Sequence, residues 1–372
     1  MAHGNSPAVV KACMPDCESS IVKGCTLVVA DATALTLCTW VAVKSASLMV
    51  ALTASVAAGL SIALLFIVAH DACHGSLTPS SRLNRILGRI CFLPSLYPLS
   101  SWELGHNRLH HGWTNLRHRD YVWCPLSYDE FQALSFRGRL IERLYRTTLG
   151  VGLYNLVEIW WKHMVFPSAA DRQLLRVVEN RRDRFLVLTY GLSVLGVLIW
   201  AAESSTEPSR TGVIRSVVLG LIVPLATFNW LSGFVIFQHH THVRVPWYAN
   251  RNEWSFFEGQ IAGTVHVKFP KIVGLLFHNI MEHNAHHANP KIPLYDLDRA
   301  QIDLERSFQD AIVTVSWTLS DFRYQLRSCQ LYDFDVHRWL TFQGIPTSEP
   351  LLPMRDIAWR TVPPSQTVTA TP

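Results

Sequence analysis

Charge is scarce in this chain: 16% of its 372 residues are Asp, Glu, Lys or Arg, against 49% apolar, with 13 tryptophans. That balance is too lean in charge for two ordinary soluble domains and reads as a membrane protein. The net charge of +5 is spread out, with no Lys/Arg run and no aromatic-basic stripe, so nucleic acid is not an expected partner. No Gly-x-Gly-x-x-Gly follows a strand, which leaves no nicotinamide or flavin site. An H-P-G-G haem segment and nucleophile motifs built on Ser or Cys are also missing. The eight cysteines (13, 17, 25, 38, 73, 91, 124 and 329) form no paired framework and read as reduced thiols facing the cytosol. Residues 1–25 lack the basic start and apolar core of a signal peptide, and read as a loose leader. There is no internal repeat.

Long apolar runs are present, and a span needs about 20 such residues. Segment 48–69 is uncharged throughout. Segments 26–43 (interrupted by Asp31), 185–202 and 213–237 complete four expected spans, and Pro224 is expected to kink the last. Lys44–Ser47 makes a tight turn between the first two spans, and 203–212 joins the second two. Two hairpins put 70–184 and 238–372 on one side of the membrane. Residues 70–184 hold sixteen Lys or Arg, whereas 203–212 holds only Arg210. The positive-inside bias makes that side cytoplasmic. Glu158, Trp160, Trp161, Lys162 and His163 suit an interfacial helix. The expected fold is an all-α integral membrane protein with four transmembrane helices in two hairpins and a cytoplasmic helical cap. It divides into a leader 1–25, a membrane domain 26–300, and a C-terminal segment 301–372 with a disordered Pro/Ser/Thr-rich end.

The histidines fall into clusters on that side. H-D-A-C-H at 70–74 and H-N-R-L-H-H at 106–111 place imidazoles four apart, one above the other on a helix face. His70 with His74, and His106 with His110, can each close on a metal, and His111 can reach a second one. H-N-A-H-H at 283–287 adds His283, His286 and His287. All-nitrogen ligation with no cysteine cluster suits iron, copper or zinc rather than an iron–sulfur centre. Eight ligands exceed the needs of one ion, so two metals are expected, with open positions for O₂. Electrons would come from a separate protein.

The stretches H-D-A-C-H-G, S-W-x-x-G-H-N-R-L-H-H-x-x-T-N and R-D-Y-V-W-C-P at 119–125 resemble the membrane fatty acid desaturases. F-Q-H-H-T-H-V-R-V-P-W-Y at 237–248 and F-H-N-I-M-E-H-N-A-H-H at 277–287 do so too. Within that family the likeness is to the acyl-lipid Δ12/ω-6 group of plants and cyanobacteria, and it covers roughly 67–300. It implies two non-haem irons, O₂ as co-substrate, a fatty acyl lipid substrate, and ferredoxin or cytochrome b5 as electron donor. The resemblance maps the box histidines onto His70, His74, His106, His110, His111, His283, His286 and His287. One departure is clear: three residues separate His106 from the His110–His111 pair, where many Δ12 enzymes have two.

Beyond the boxes, a helix continued past Phe237 would put His239 and His242 on one face, with His240 turned away by about 100°. The matching family stretch keeps histidines at 240 and 242, which makes His242 the expected ninth ligand and His278 a candidate partner of a ligating imidazole or a reserve ligand. Asp71, Asp120 and Glu282 are candidate partners of ligating imidazoles. Trp102, Trp113 and Trp123 are candidate walls of an acyl tunnel. His3, His118, His163, His266 and His337 are expected to be incidental. Alternatives are a sibling di-iron membrane oxygenase (acyl hydroxylase, acetylenase, or carotenoid or alkane oxidation) and a membrane haem or metal-transport protein.

Overall fold

The computed structural model describes residues 6–174, 177–204 and 209–351. It is mostly helical, and four helices are long and apolar enough to cross a membrane. These are α1 (Ile21–Lys44), α2 (Leu48–His74), α3 (Val177–Glu203) and α4 (Arg210–His240). α1 starts five residues before its apolar run because Ser20 caps it, its hydroxyl accepting from Lys23 N at 3.3 Å. α2 outruns its apolar stretch and stops at Gly75, whose left-handed φ of +72° ends the helix without a Cβ clash. His70 and His74 therefore ride on its last turns. α4 contains a wider π turn at Val218–Ile222, which ends two residues before Pro224. Proline has no N–H to give that turn, so the register slips there.

Small residues let these helices approach. A Cβ on Gly233 of α4 would lie 2.0 Å from the carbonyl oxygen of Val151, and one on Gly152 would lie 2.7 Å from the Cα of Trp230. The helical stretch 150–165 thus crosses α4 backbone to backbone, as small-residue contacts permit in membranes. Its expected interfacial character is partial. Trp161 is half exposed and Lys162 pairs with Glu158 at 2.6 Å, but Asn155 is buried against Asn229 and Tyr97.

The expectation of a purely helical chain needs correction. β1 (Val265–Lys268) pairs in parallel with β2 (Val313–Ser316), Val265 opposite Val313. β3 (Leu331–Asp333) pairs antiparallel with β4 (Arg338–Leu340). Strands of three or four residues are too short to announce themselves by alternation. The β1–β2 pair ties the C-terminal segment to the third-box region, and a boundary at 300 falls inside helix Leu297–Phe308. The tail V-P-P-S-Q-T-V-T-A-T-P lies outside the described residues, as do His3, Ser205, Glu207 and Pro208.

Candidate metal centre

Four segments converge on one place. α2 brings His70 and His74, with ring centroids 4.8 Å apart. The helical stretch 99–113 brings His106, His110 and His111, the helix His283–Ala288 brings His283, His286 and His287, and the end of α4 brings His240. They sort into two groups, His70, His74, His106, His111 and His286 in one, His110, His240, His283 and His287 in the other. Within each group the ligand nitrogens all lie within 4.8 Å of one another.

The pairing of His106 with His110 on one metal is overturned. Residues Glu103–His110 wind as a π helix, and His111 N bonds His106 O. In such a turn i and i+5 stand over each other, so His106 joins His111 and leaves His110 to the other group. The third cluster also divides. His283 and His287, four apart, face one group, while His286 faces the other.

The donor set fits metal ions. Nε2 atoms meet without a natural donor–acceptor order: His70 to His106 at 2.7 Å, His111 to His106 at 3.1 Å, His286 to His111 at 3.1 Å, and His283 to His240 at 2.9 Å. His74 Nε2 and His287 Nε2 are buried with no hydrogen-bond partner, a cost that a cation removes. Burial, then mutual repulsion, holds the pKa of His106, His111, His283, His286 and His287 well below the ordinary value. They are neutral donors, as metal ligation requires. Neighbours also set tautomers. His110 Nδ1 faces the Asp120 carboxylate at 3.0 Å, and His287 Nδ1 faces Gln260 Oε1 at 2.7 Å. Each Nδ1 must donate its proton to an oxygen, which turns a bare Nε2 lone pair inward.

Other expectations are corrected. α4 ends at His240, and Thr241 is extended with φ −130°. His242 therefore leaves the helix, half-buried, and its Nδ1 accepts from Arg244 N at 3.1 Å. His240 takes the place expected for His242, while His239 stacks on His283 at 3.8 Å. His278 meets Asp31 at 2.8 Å rather than either group. Asp71 accepts from Leu294 N at 3.3 Å, and Glu282 pairs with His266 at 2.6 Å. Of the four candidate partners only Asp120 holds a grouped imidazole. It also accepts from Asn115 N and Val122 N, which fixes its own position. Gln260 carried no signal in the sequence, since an isolated glutamine has no distinctive spacing. His266 is not incidental: it bridges Glu282 and Glu305. Although burial works against it, these two carboxylates raise its pKa.

A family model described as fatty acid desaturase matches residues 46–318. The chain belongs to that family. The desaturase is 27% identical over 288 residues to the sn-1 oleoyl-lipid 12-desaturase of Picosynechococcus sp., covering 76% of this chain and 77% of that one. It is 30% identical over 292 residues to the protein of the same description from Synechocystis sp., covering 77% of each. The chloroplastic omega-6 fatty acid desaturase of Glycine max is 27% identical over 278 residues, 74% of this chain and 61% of that one.

In the desaturase an apolar cavity opens onto both imidazole groups. Ala63, Phe66, Ile67, Val122, Ile159, Leu231, Val235, Ile236, Phe277 and Ile280 line it, together with His70 and His106 of one group and His110, His240 and His283 of the other. Trp102 is the one expected tunnel tryptophan that reaches this wall, and it stacks on His106 at 4.5 Å and 14°. Trp123 is instead core, stacked on Tyr154 at 3.8 Å. Trp113 packs against Trp254, its ring beneath Arg251 and Arg119.

Proposed function

We propose that this desaturase removes two hydrogens from a lipid-linked fatty acyl chain at a non-haem di-iron centre. O₂ is the co-substrate, and ferredoxin or cytochrome b5 supplies electrons one at a time. The observation that carries this reading is an apolar cavity whose wall includes histidines of both groups. One iron is assigned to His70, His74, His106, His111 and His286, the other to His110, His240, His283 and His287. Bound there, the pair of irons would supply O₂-dependent oxidation of unactivated C–H bonds. The protein's part is binding, orientation and exclusion of water. Phe66, Ile67, Leu231 and Val235 give an acyl chain an apolar lining. Asp120 and Gln260 keep His110 and His287 in the ligating tautomer. The names of the relatives favour an oleoyl lipid attacked at carbon 12.

In the membrane, α1 with α2 and α3 with α4 form two hairpins, and the histidine-bearing segments make a cap on the cytoplasmic side. The arginine excess of 70–184 supports that orientation.

Expression in a host that makes no polyunsaturated lipid, followed by mass spectrometry of its fatty acids, tests the reading. Dienes are expected. Hydroxy or acetylenic acids in their place would transfer the chain to the sibling oxygenases.

A further inference from the structure

We propose that Asp31 and His278 form a latch that positions one wall of the acyl cavity and so sets which carbons of the chain lie beside the histidine groups. The inference rests on the desaturase reading above. Asp31 sits in the middle of α1, yet it is only 5% exposed. A carboxylate within a span is costly, and it is retained where it has a partner and a task. Its partner is His278, 9% exposed, with Nε2 at 2.8 Å from Oδ2. No α1 residue lines the cavity among the described residues; the contact with His278 is what joins α1 to the Phe277–Ile280 wall.

The wall that the latch holds follows an exposed stretch of chain. Lys271–Leu276 is a single short helix, with Ile272, Leu275 and Leu276 each more than half exposed. The chain then turns through two successive left-handed residues, His278 at φ +52° and Asn279 at φ +56°. Neither is glycine, and such a pair persists only when surrounding contacts over-determine it. Backbone bonds tie both residues to the preceding helix; beyond these, the Asn279 side chain is held by Leu294 O at 3.1 Å, and the His278 ring by Asp31. Phe277 and Ile280, on either side of that turn, are the residues that face the cavity. Releasing His278 frees the turn, and with it the depth of the slot opposite Leu231 and Val235 of α4. Asp31 is thus a positioning residue, far along the sequence from the boxes.

The test compares Asp31→Leu, His278→Leu, their double variant, Asp31→Asn and Ile280→Ala in the host that makes no polyunsaturated lipid of its own. It reads the positions and chain lengths of the products, and iron per purified chain. Both leucine variants are expected to raise the share of products at other positions or lengths about tenfold, the discrimination a methylene-sized change in an apolar pocket carries. The double variant should add nothing further, because the two residues share one interaction. Asp31→Asn keeps an acceptor oxygen and the wild-type pattern, and iron stays at the wild-type level throughout. An unchanged product pattern in Asp31→Leu overturns the latch. So does loss of iron with the pattern of the remaining products intact, since the pair would then support the metal centre instead. If the leucine variants fail to accumulate, Ile280→Ala trims the same wall directly, and a wild-type pattern from it overturns the proposal. A wild-type chain that makes no unsaturated acid fails the functional reading itself; desaturation that all these variants leave unaltered fails the latch alone.

Discussion

Alanine at His240 is expected to abolish turnover and empty one metal position, while alanine at His242 leaves both near the wild-type level. His240 Nε2 lies 2.9 Å from His283 Nε2 and belongs to a group of only four imidazoles. Loss of a mere hydrogen-bond partner of a ligand costs about 10–100-fold in metal affinity or activity, and loss of a ligand must exceed that. His242 stands outside the helix and serves its own turn through Arg244 N, so its removal touches neither group. His239→Ala falls between: it strips the ring that stacks on His283 and lines the cavity, so turnover drops while the metals remain. Iron analysis beside product analysis on the three variants checks this. A wild-type rate and iron content for the His240 variant, with losses at His242, would reverse the assignment.

Gly233→Ala is expected to destroy the folded protein rather than the chemistry. The new methyl would lie 2.0 Å from Val151 O and 2.6 Å from Val151 C. Those are backbone atoms of a helix, so no rotamer change relieves the clash. Overpacking that side chains absorb costs about 1–3 kcal/mol; here two helices must separate along their length, and the cost lies above that range. The opposing Gly152 has the same relation to Trp230, so no compensating shift is open on that side. The yield of monodisperse detergent-solubilised protein is the measurement, and it should fall to background. A normally folded, active Gly233→Ala variant would show that the crossing of 150–165 over α4 is looser than described.

The four apolar helices were legible because hydropathy over 20 residues is a strong signal, and even the flaw in the first had meaning. Asp31 weakened α1 as a span, yet it is the partner that His278 needs. Eight of the nine grouped histidines were legible from spacing and resemblance; their division between groups was not. It depends on the π turn at Glu103–His110. The extra residue of the second box is absorbed there, so His106, His110 and His111 keep the relation that a box one residue shorter would have in an α helix. His240 was lost for a related reason. The expected i, i+3 pairing required α4 to run past residue 240, and a helix end without a glycine or proline stop leaves little trace in sequence. Gln260 and the β1–β2 pair are contacts across long separations, which no local pattern encodes.

Metal analysis of the purified, active full-length protein bears most directly on the whole account. Nine imidazoles in two groups, eight of them buried and His111 partly so, predict two irons per chain, with desaturation falling in proportion as iron is removed and returning when it is restored. Full activity in protein that carries one zinc and no iron would contradict it.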